Sequence, residues 1–369
     1  MFSKINIYLA KNFFISFVVV FAVFAALLVI GDFVEQFRKS TGKDVPIKII
    51  FQLAVFNFLS LVEFIIPIVT FFAALLTFIL LIRNSEYLII NTSGISNIKI
   101  IIPAVIIYFI VGVFFVTIIN PLSAVFYDRY TELEYKYIEK SDKFASITKN
   151  GIWLKQFNDK KKISSVLYAQ QISNNGSVLL NFMLLEYDEK GVFQGRLDGK
   201  KAYLKNGSWT MSDVQISPKY GQAKFDFELT YATNIKSSDI TNSLSSPDSI
   251  SIWKIGKFIN FLEDLGYSAR DFKLYYYNLI VLPFLLSFLT ILASSLVSDL
   301  KQNSKIIKTI INAFILIFII YFISNLLDAL SSSSQISPLI AKIITPIFVI
   351  ILSLLFFNYS YLKRKKFIK

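Results

Sequence analysis

The chain has 369 residues, 54% of them hydrophobic and 37 of them Phe, with a formal charge of +13. It contains no Cys and no His, which excludes thiol nucleophiles, disulfides and thiolate metal sites. It also removes the usual general base near neutral pH and the commonest metal ligand, so no catalytic residue, cofactor or metal is expected.

The first eleven residues, with Y-L-A-K-N-F at 8–13, predict a short interfacial helix leading into a first apolar run at 13–30. Lys4 and Lys11 precede that run as in a signal peptide. The run is too long for such a segment and no A-x-A site follows it, so it reads as an uncleaved first span. The chain then continues as Gly31-Asp32-Phe33-Val34-Glu35-Gln36-Phe37-Arg38-Lys39. Residues 49–62 are apolar apart from Gln52, Asn57 and Ser60, and Glu63 and Pro67 follow. Proline kinks a membrane helix and frees a carbonyl, so 49–82 is expected as one long or broken helical element containing the span 64–82. A short polar loop at 83–99 leads to the third span, 100–119, which ends at Asn120-Pro121.

Charged residues follow at 128–134, and from Gly151 the pattern changes to short alternating runs. Strands are expected at 152–157, 165–172, 178–187, 192–197, 201–204, 209–216 and 225–231. Turn signals lie between them, including Asp198-Gly199 and Asn206-Gly207. Seven short strands at this spacing predict a sandwich-like or barrel-like β-domain. A Ser-rich linker at 241–249 and a helix at 250–265, capped by Gly266, return the chain to spans at 279–297, 309–327 and 343–362. Each of the six runs is 18–20 residues without a charge, enough for a helix to cross a ~30 Å hydrocarbon core. The fold class is thus an α-helical polytopic membrane protein, with six spans arranged 3+3 around an inserted all-β domain. Expected boundaries are 1–120, 121–270 and 271–369.

An even number of spans puts both termini on one side. If that side is cytoplasmic, the inside segments hold 12 basic residues against two acids, and the short outside loops hold five of each. The positive-inside bias therefore orients the chain with cytoplasmic termini and an external middle block. The excess charge belongs to topology and anionic lipid; no interleaving of basic and aromatic residues suggests nucleic acid.

Two stretches draw attention as sites. In the 83–99 loop, Ser85 is placed to cap a short helix starting near Glu86, with Gly94 ending it. Such a helix suits docking onto a motor, and equally an ordinary interfacial turn. Arg38 and Lys39 lie where lipid phosphates would sit, and equally suit snorkelling anchors. Glu63, Asp299, Asn325 and Asp328 read as solvated helix ends. The apolar faces of the strands offer either a packed core or an acyl-chain groove. No phosphate-binding G-x-x-x-x-G-K-[ST] loop is present, so any ATP use falls to another chain.

Arg83-Asn84-Ser85-Glu86-Tyr87-Leu88, running on to Gly94-Ile95-Ser96, resembles the R-x-S-E-L…A-A-G-x-S loop of the LptF/LptG permease family of the lipopolysaccharide exporter. Asp32-Phe33-Val34-Glu35-Gln36, Asn150-Gly151-Ile152-Trp153-Leu154-Lys155 and the segment from Ser249 to Gly266 extend the resemblance, and make it most like the LptG branch. The family implies a periplasmic β-jellyroll and an inner-membrane location. It also implies an LptF-like second permease, an LptB-like cytoplasmic ATPase dimer, an LptC-like single-span protein, a periplasmic bridge and lipopolysaccharide as cargo. Arg83, Ser85, Glu86 and Gly94 would form the ATPase-coupling loop, with Glu86 as the acid that meets a basic residue of the ATPase. Arg38 and Lys39 would meet the lipid headgroup. Two departures stand out: Asn91-Thr92-Ser93 replaces the small residues of the loop, and Asp32 stands where some members carry Lys. The runner-up expectation is a membrane-protein insertase or assembly factor with an external β-domain.

Overall fold

The computed structural model describes residues 4–139, 145–148, 151–158, 163–173, 177–188, 190–205, 207–233, 246–264, 268–298 and 306–367. In chain order the helices are α1 (Lys4–Ser40), α2 (Ile47–Arg83), α3 (Glu86–Thr92), α4 (Asn97–Phe114) and α5 (Asn120–Glu134), then α6 (Ile252–Asp264), α7 (Arg270–Val297), α8 (Ile306–Ser332) and α9 (Pro338–Phe367). A π-helical turn at Phe115–Ile119 joins α4 to α5 without a break. Among the described residues, six helical stretches are long and apolar enough to cross a membrane. Residues 241–245 of the linker expected at 241–249, the cap at Gly266, Asn150, Asn206 of the Asn206-Gly207 turn and Asp299 lie outside the described residues.

The chain forms two compact units. One comprises 1–130, 251–253 and 270–369, the other 131–250 and 254–269. In the first, α2 and α7 form the interior: 72% and 61% of their apolar windows are buried, against 17% for α1 and 22% for α8. Phe13 stands edge-on to Phe78 and Tyr108, with centroids 5.0 and 6.2 Å away. The Tyr108 hydroxyl donates to the Phe13 carbonyl at 3.2 Å. Edge-to-face pairs of this kind add specificity beyond the area they bury. Helices α4 and α7 nearly touch at Gly112, where a Cβ would lie 2.5 Å from the Pro283 Cα.

Helix lengths differ from the expectation in an instructive way. Nothing in Y-L-A-K-N-F breaks a helix, so no separate interfacial helix forms; α1 runs 37 residues from Lys4 to Ser40. It stops where Gly42 takes φ +79°. Helix α2 takes the long form of the two expected, in one piece through Pro67. Proline lacks the N–H and disturbs the carbonyls of the preceding turn. The Tyr321 hydroxyl of α8 takes one of them, donating to the Phe64 carbonyl at 2.8 Å. The third span does not end at Asn120-Pro121 either. The π-turn just before widens the backbone where Pro121 cannot donate, and the helix continues.

The second unit holds one antiparallel sheet: β1 (Ala145–Thr148), β2 (Gly151–Asn158), β3 (Ile163–Ser173), β4 (Val178–Tyr187), β5 (Phe193–Lys205), β6 (Ser208–Pro218) and β7 (Lys224–Ala232). Its order is sequential from β1 to β7, a meander without the interleaved pairing of a Greek-key jellyroll among the described strands. The inserted β-domain is thus present. Trp209, Leu154, Leu167, Leu179, Leu184, Met211 and Val214 form its core, each 0% exposed.

Asp198-Gly199 is not a turn. Both residues lie inside the single strand β5, which unites two expected strands, and Gly199 pairs with Phe182. A Cβ on Gly199 would overlap the Phe182 ring and lie 3.2 Å from the Ser212 carbonyl oxygen. Glycine is there to let a neighbouring ring lie flat against the strand. Phe182 is 3% exposed and hemmed in, so Gly199→Ala is expected to destabilise the domain by about 1–3 kcal/mol. The lower unfolding midpoint would be read in denaturant titrations of the purified protein.

The same row carries a second irregularity. Side chains of a strand normally alternate between faces, yet Leu179 and Phe182 on β4 are both buried, as are Met211 and Val214 on β6. Asn181 (φ +49°) and Asp213 (φ +55°) absorb the odd step. Both residue types tolerate the left-handed region. Asn181 donates to the Gln170 Oε1 at 2.9 Å, and Lys200 pairs with Asp213 at 3.4 Å. The inward-facing set therefore changes parity along a line across β4, β5 and β6.

Candidate functional site

At the junction of α2 and α4 the chain makes a tight reversal around α3. Arg83 closes α2 and is exposed. Ser85 occupies the N-cap position of α3, but its φ is +62° and its side chain makes no capping hydrogen bond. A side-chain cap requires extended backbone at that position, so the expected hydroxyl cap does not form. The Ser85 carbonyl instead accepts the Ile89 N–H at 3.0 Å. Gly94 fulfils its expected part, with φ +82° just past the helix end. The polar Asn91-Thr92-Ser93 segment also finds a local reason. The Thr92 and Ser93 hydroxyls donate to the Leu88 and Ile89 carbonyls at 3.0 and 2.8 Å, bonding back onto the last turn of the helix.

Glu86, the first residue of α3, accepts two hydrogen bonds. Tyr8 on α1 donates its hydroxyl to Oε2 at 2.8 Å, and Asn84 donates to Oε1 at 3.3 Å. Beside them lies a cavity of about 200 Å³ bordered by Asn12, Ser16 and Thr77 as well. Ile90 packs into the helical core, while Leu88 and Ile89 are 64% and 60% exposed. The helix thus presents an acid and two apolar side chains outward, on a base fixed by one buried anchor.

The opposite end of α1 is built differently. Arg38 forms a forked pair with Glu35 at 2.7 and 2.9 Å. The Arg38 guanidinium holds the Glu35 carboxyl below the usual carboxylate range. The pair is largely exposed and so contributes little to stability. Lys39 donates to the Tyr130 hydroxyl at 3.4 Å. Asp32 accepts from Gln36 at 3.1 Å and Asn57 at 2.9 Å, and the buried Gln36 also reaches Tyr130 at 3.4 Å. The acid at position 32 thereby stitches α1 to α2, and Gln36 extends the network to α5. Just below, α1 and α2 flank an apolar groove of about 430 Å³ lined by residues such as Ile30, Phe33, Phe51 and Phe58.

A second polar centre was not legible in the sequence. Asn120, fully buried, donates to the Glu63 Oε1 at 3.1 Å and to the Tyr275 hydroxyl oxygen at 2.7 Å. Tyr275 in turn donates to the Glu63 Oε2 at 2.9 Å. The Asn120 Oδ1 accepts the Ile252 N–H at 2.8 Å, the first backbone donor of α6. Glu63 is therefore no solvated helix end but one corner of a network joining α2, α7, the start of α5 and the Ile252 backbone. Asp328 is also paired, accepting from Lys342 at 2.8 Å. Among the described residues no group of three acids or other ligating side chains is placed to hold a metal.

Residues 7–359 match the family model of the lipopolysaccharide export system permease LptF/LptG. The chain belongs to the LptF/LptG family. The match spans both sets of membrane helices and the sheet between them, so the chain is a multi-pass permease subunit of lipopolysaccharide export. No curated protein matches it. In an LptF/LptG permease the α3 reversal and the far end of α1 are the two places where residues expected from sequence come together. Arg83, Ser85, Glu86 and Gly94 share one hairpin-like junction. Arg38 and Lys39 lie on successive residues of one helix end.

Proposed function

We propose that the chain is the LptG-like half of an ATP-driven lipopolysaccharide exporter. It would sit in the inner membrane with cytoplasmic termini and a periplasmic β-domain. An LptF-like permease, an LptB-like ATPase dimer and an LptC-like single-span protein would complete the assembly. The family match over residues 7–359 carries the proposal. The domain division at 1–120, 121–270 and 271–369 and a bridging role for the sheet belong to the same reading.

In this reading α3 is the coupling helix. Glu86 offers a carboxylate to a basic side chain of the ATPase, and Leu88 and Ile89 fill an apolar recess beside it. Charge-assisted pairs between a carboxylate and Arg are strong and directional, which suits transmitting a movement. Helices α1 and α8, the first and fifth spans, bury the smallest share of their apolar windows within this chain. Such open faces suit a seam with a second permease, through which a lipid enters sideways. Arg38 and Lys39 at the rim would meet its phosphates. ATP-driven closure then moves the lipid toward the β-domain.

The test is purification of the tagged chain from its native membrane in mild detergent, wild type beside Glu86→Ala, with mass spectrometry of bound proteins and lipids. The expected result is a second permease, an ATPase and lipopolysaccharide with wild type, and at least a tenfold loss of ATPase with Glu86→Ala, about the effect of one strong pair. A chain that runs alone, or with nascent membrane proteins and no ATPase, overturns the reading in favour of an assembly factor.

A further inference from the structure

We infer that Tyr8 is a positioning residue for the coupling acid, holding the Glu86 carboxylate in the orientation that a basic partner side chain requires. The inference rests on Glu86 being the acid that meets the ATPase. A glutamate at the start of a seven-residue helix has three rotatable bonds and, left alone, samples several directions. Here its two oxygens each have a donor: the Tyr8 hydroxyl at 2.8 Å on Oε2 and the Asn84 amide at 3.3 Å on Oε1. A carboxylate offers about four lone-pair sites. Two donors therefore fix its plane and leave acceptor capacity for an incoming guanidinium or ammonium. An already ordered group loses less freedom on binding, so the hydroxyl raises affinity without touching the partner.

The placement of Tyr8 supports this. It lies 78 residues from Glu86 in sequence, on a different helix. It shares one face of α1 with Asn12 and Ser16, at spacings of four that align side chains along a helix. All three border the 200 Å³ cavity beside Glu86. That face carries polar groups toward Glu86, and the cavity leaves the acid room to swing if the hydroxyl is removed. Tyr8 itself is 46% exposed, so Tyr8→Phe removes a donor without opening the core.

The experiment uses the membrane complex reconstituted in lipid nanodiscs and titrated with the ATPase that co-purifies with the wild-type chain. The readouts are half-saturating ATPase concentration and maximal ATP turnover. Tyr8→Phe is expected to raise the half-saturating concentration about threefold to tenfold, in keeping with one charge-assisted hydrogen bond at an exposed site. Maximal turnover should be unchanged. Asn84→Ala should shift it the same way. Glu86→Gln should shift it further, and adding Tyr8→Phe to Glu86→Gln should change nothing more, since the two residues act as one unit. A silent Tyr8→Phe beside a sensitive Glu86→Gln overturns the inference and leaves the coupling reading standing. Additive effects, or a fall in maximal turnover with Tyr8→Phe, also overturn it, because Tyr8 would then act independently or structurally. A silent Glu86→Gln overturns both.

Discussion

Asn120→Leu is expected to destabilise the helical unit by about 3–5 kcal/mol, the scale of removing one partner from a buried charged group. The side chain is 0% exposed and makes three hydrogen bonds: donations to Glu63 and Tyr275, and acceptance from the Ile252 N–H. Leucine fills a similar volume but offers none of them. The Glu63 carboxylate loses a donor, and the first N–H of α6 loses its acceptor. Ordinary core substitutions of similar size remove only packing, whereas this one strands polar groups. The measurement is the melting temperature of the purified chain in detergent. Asn120→Leu with Glu63→Leu should recover part of the loss, because removing both partners of a buried bond is far less damaging than removing one. A melting temperature equal to wild type for Asn120→Leu alone would show that the network contributes nothing.

Gly112→Val should be comparably severe for the opposite reason. Even the first carbon of a side chain at 112 would stand 2.5 Å from the Pro283 Cα, 3.0 Å from its Cβ and 3.2 Å from its nitrogen. Two of these are backbone atoms, so no rotamer change relieves the overlap; α4 and α7 must separate. Helix α7 is among the most buried of the spans, and its displacement disturbs every neighbour. Overpacking of this kind costs about 1–3 kcal/mol even where side chains can yield, and here the larger figure is the floor. The expected outcome is a sharp fall in monodisperse protein recovered from membranes. Gly31→Ala serves as control, because a Cβ there meets nothing within 4 Å and alanine favours helix. Equal yields for Gly112→Val and Gly31→Ala would refute the close-contact argument.

Both sites show where reading a sequence stops. The spans were legible because hydropathy is a local property, and the strands because alternation is. Helix ends were not: polar residues at 31–40 look like a loop, yet nothing in them breaks α1 before Gly42. Asp198-Gly199 carried a genuine turn signature, but the ring of Phe182, 17 residues earlier, gives its glycine another purpose. The Glu63 network spans separations of 57, 132, 155 and 212 residues, and no local pattern announces such a meeting. At the candidate site, the short helix starting at Glu86 and ending before Gly94 was legible, because a positive-φ glycine is a local signal. Ser85 was misread because capping preference assumes extended backbone, which a left-handed turn denies. Tyr8 gave no signal, since an aromatic residue near a membrane surface is unexceptional.

The parity change across β4, β5 and β6 has a consequence for how the sheet resists error. Slippage between strands by two residues is normally the least punished fault, because each side chain stays on its own face. Here a two-residue slip would carry Asn181 and Asp213 away from Lys200, and bring buried and outward positions into conflict on one side of the line. The line acts as a vernier mark: only one alignment satisfies both halves of every strand. A meander whose internal alignment is locked in this way holds every strand from β4 to β6 to one register.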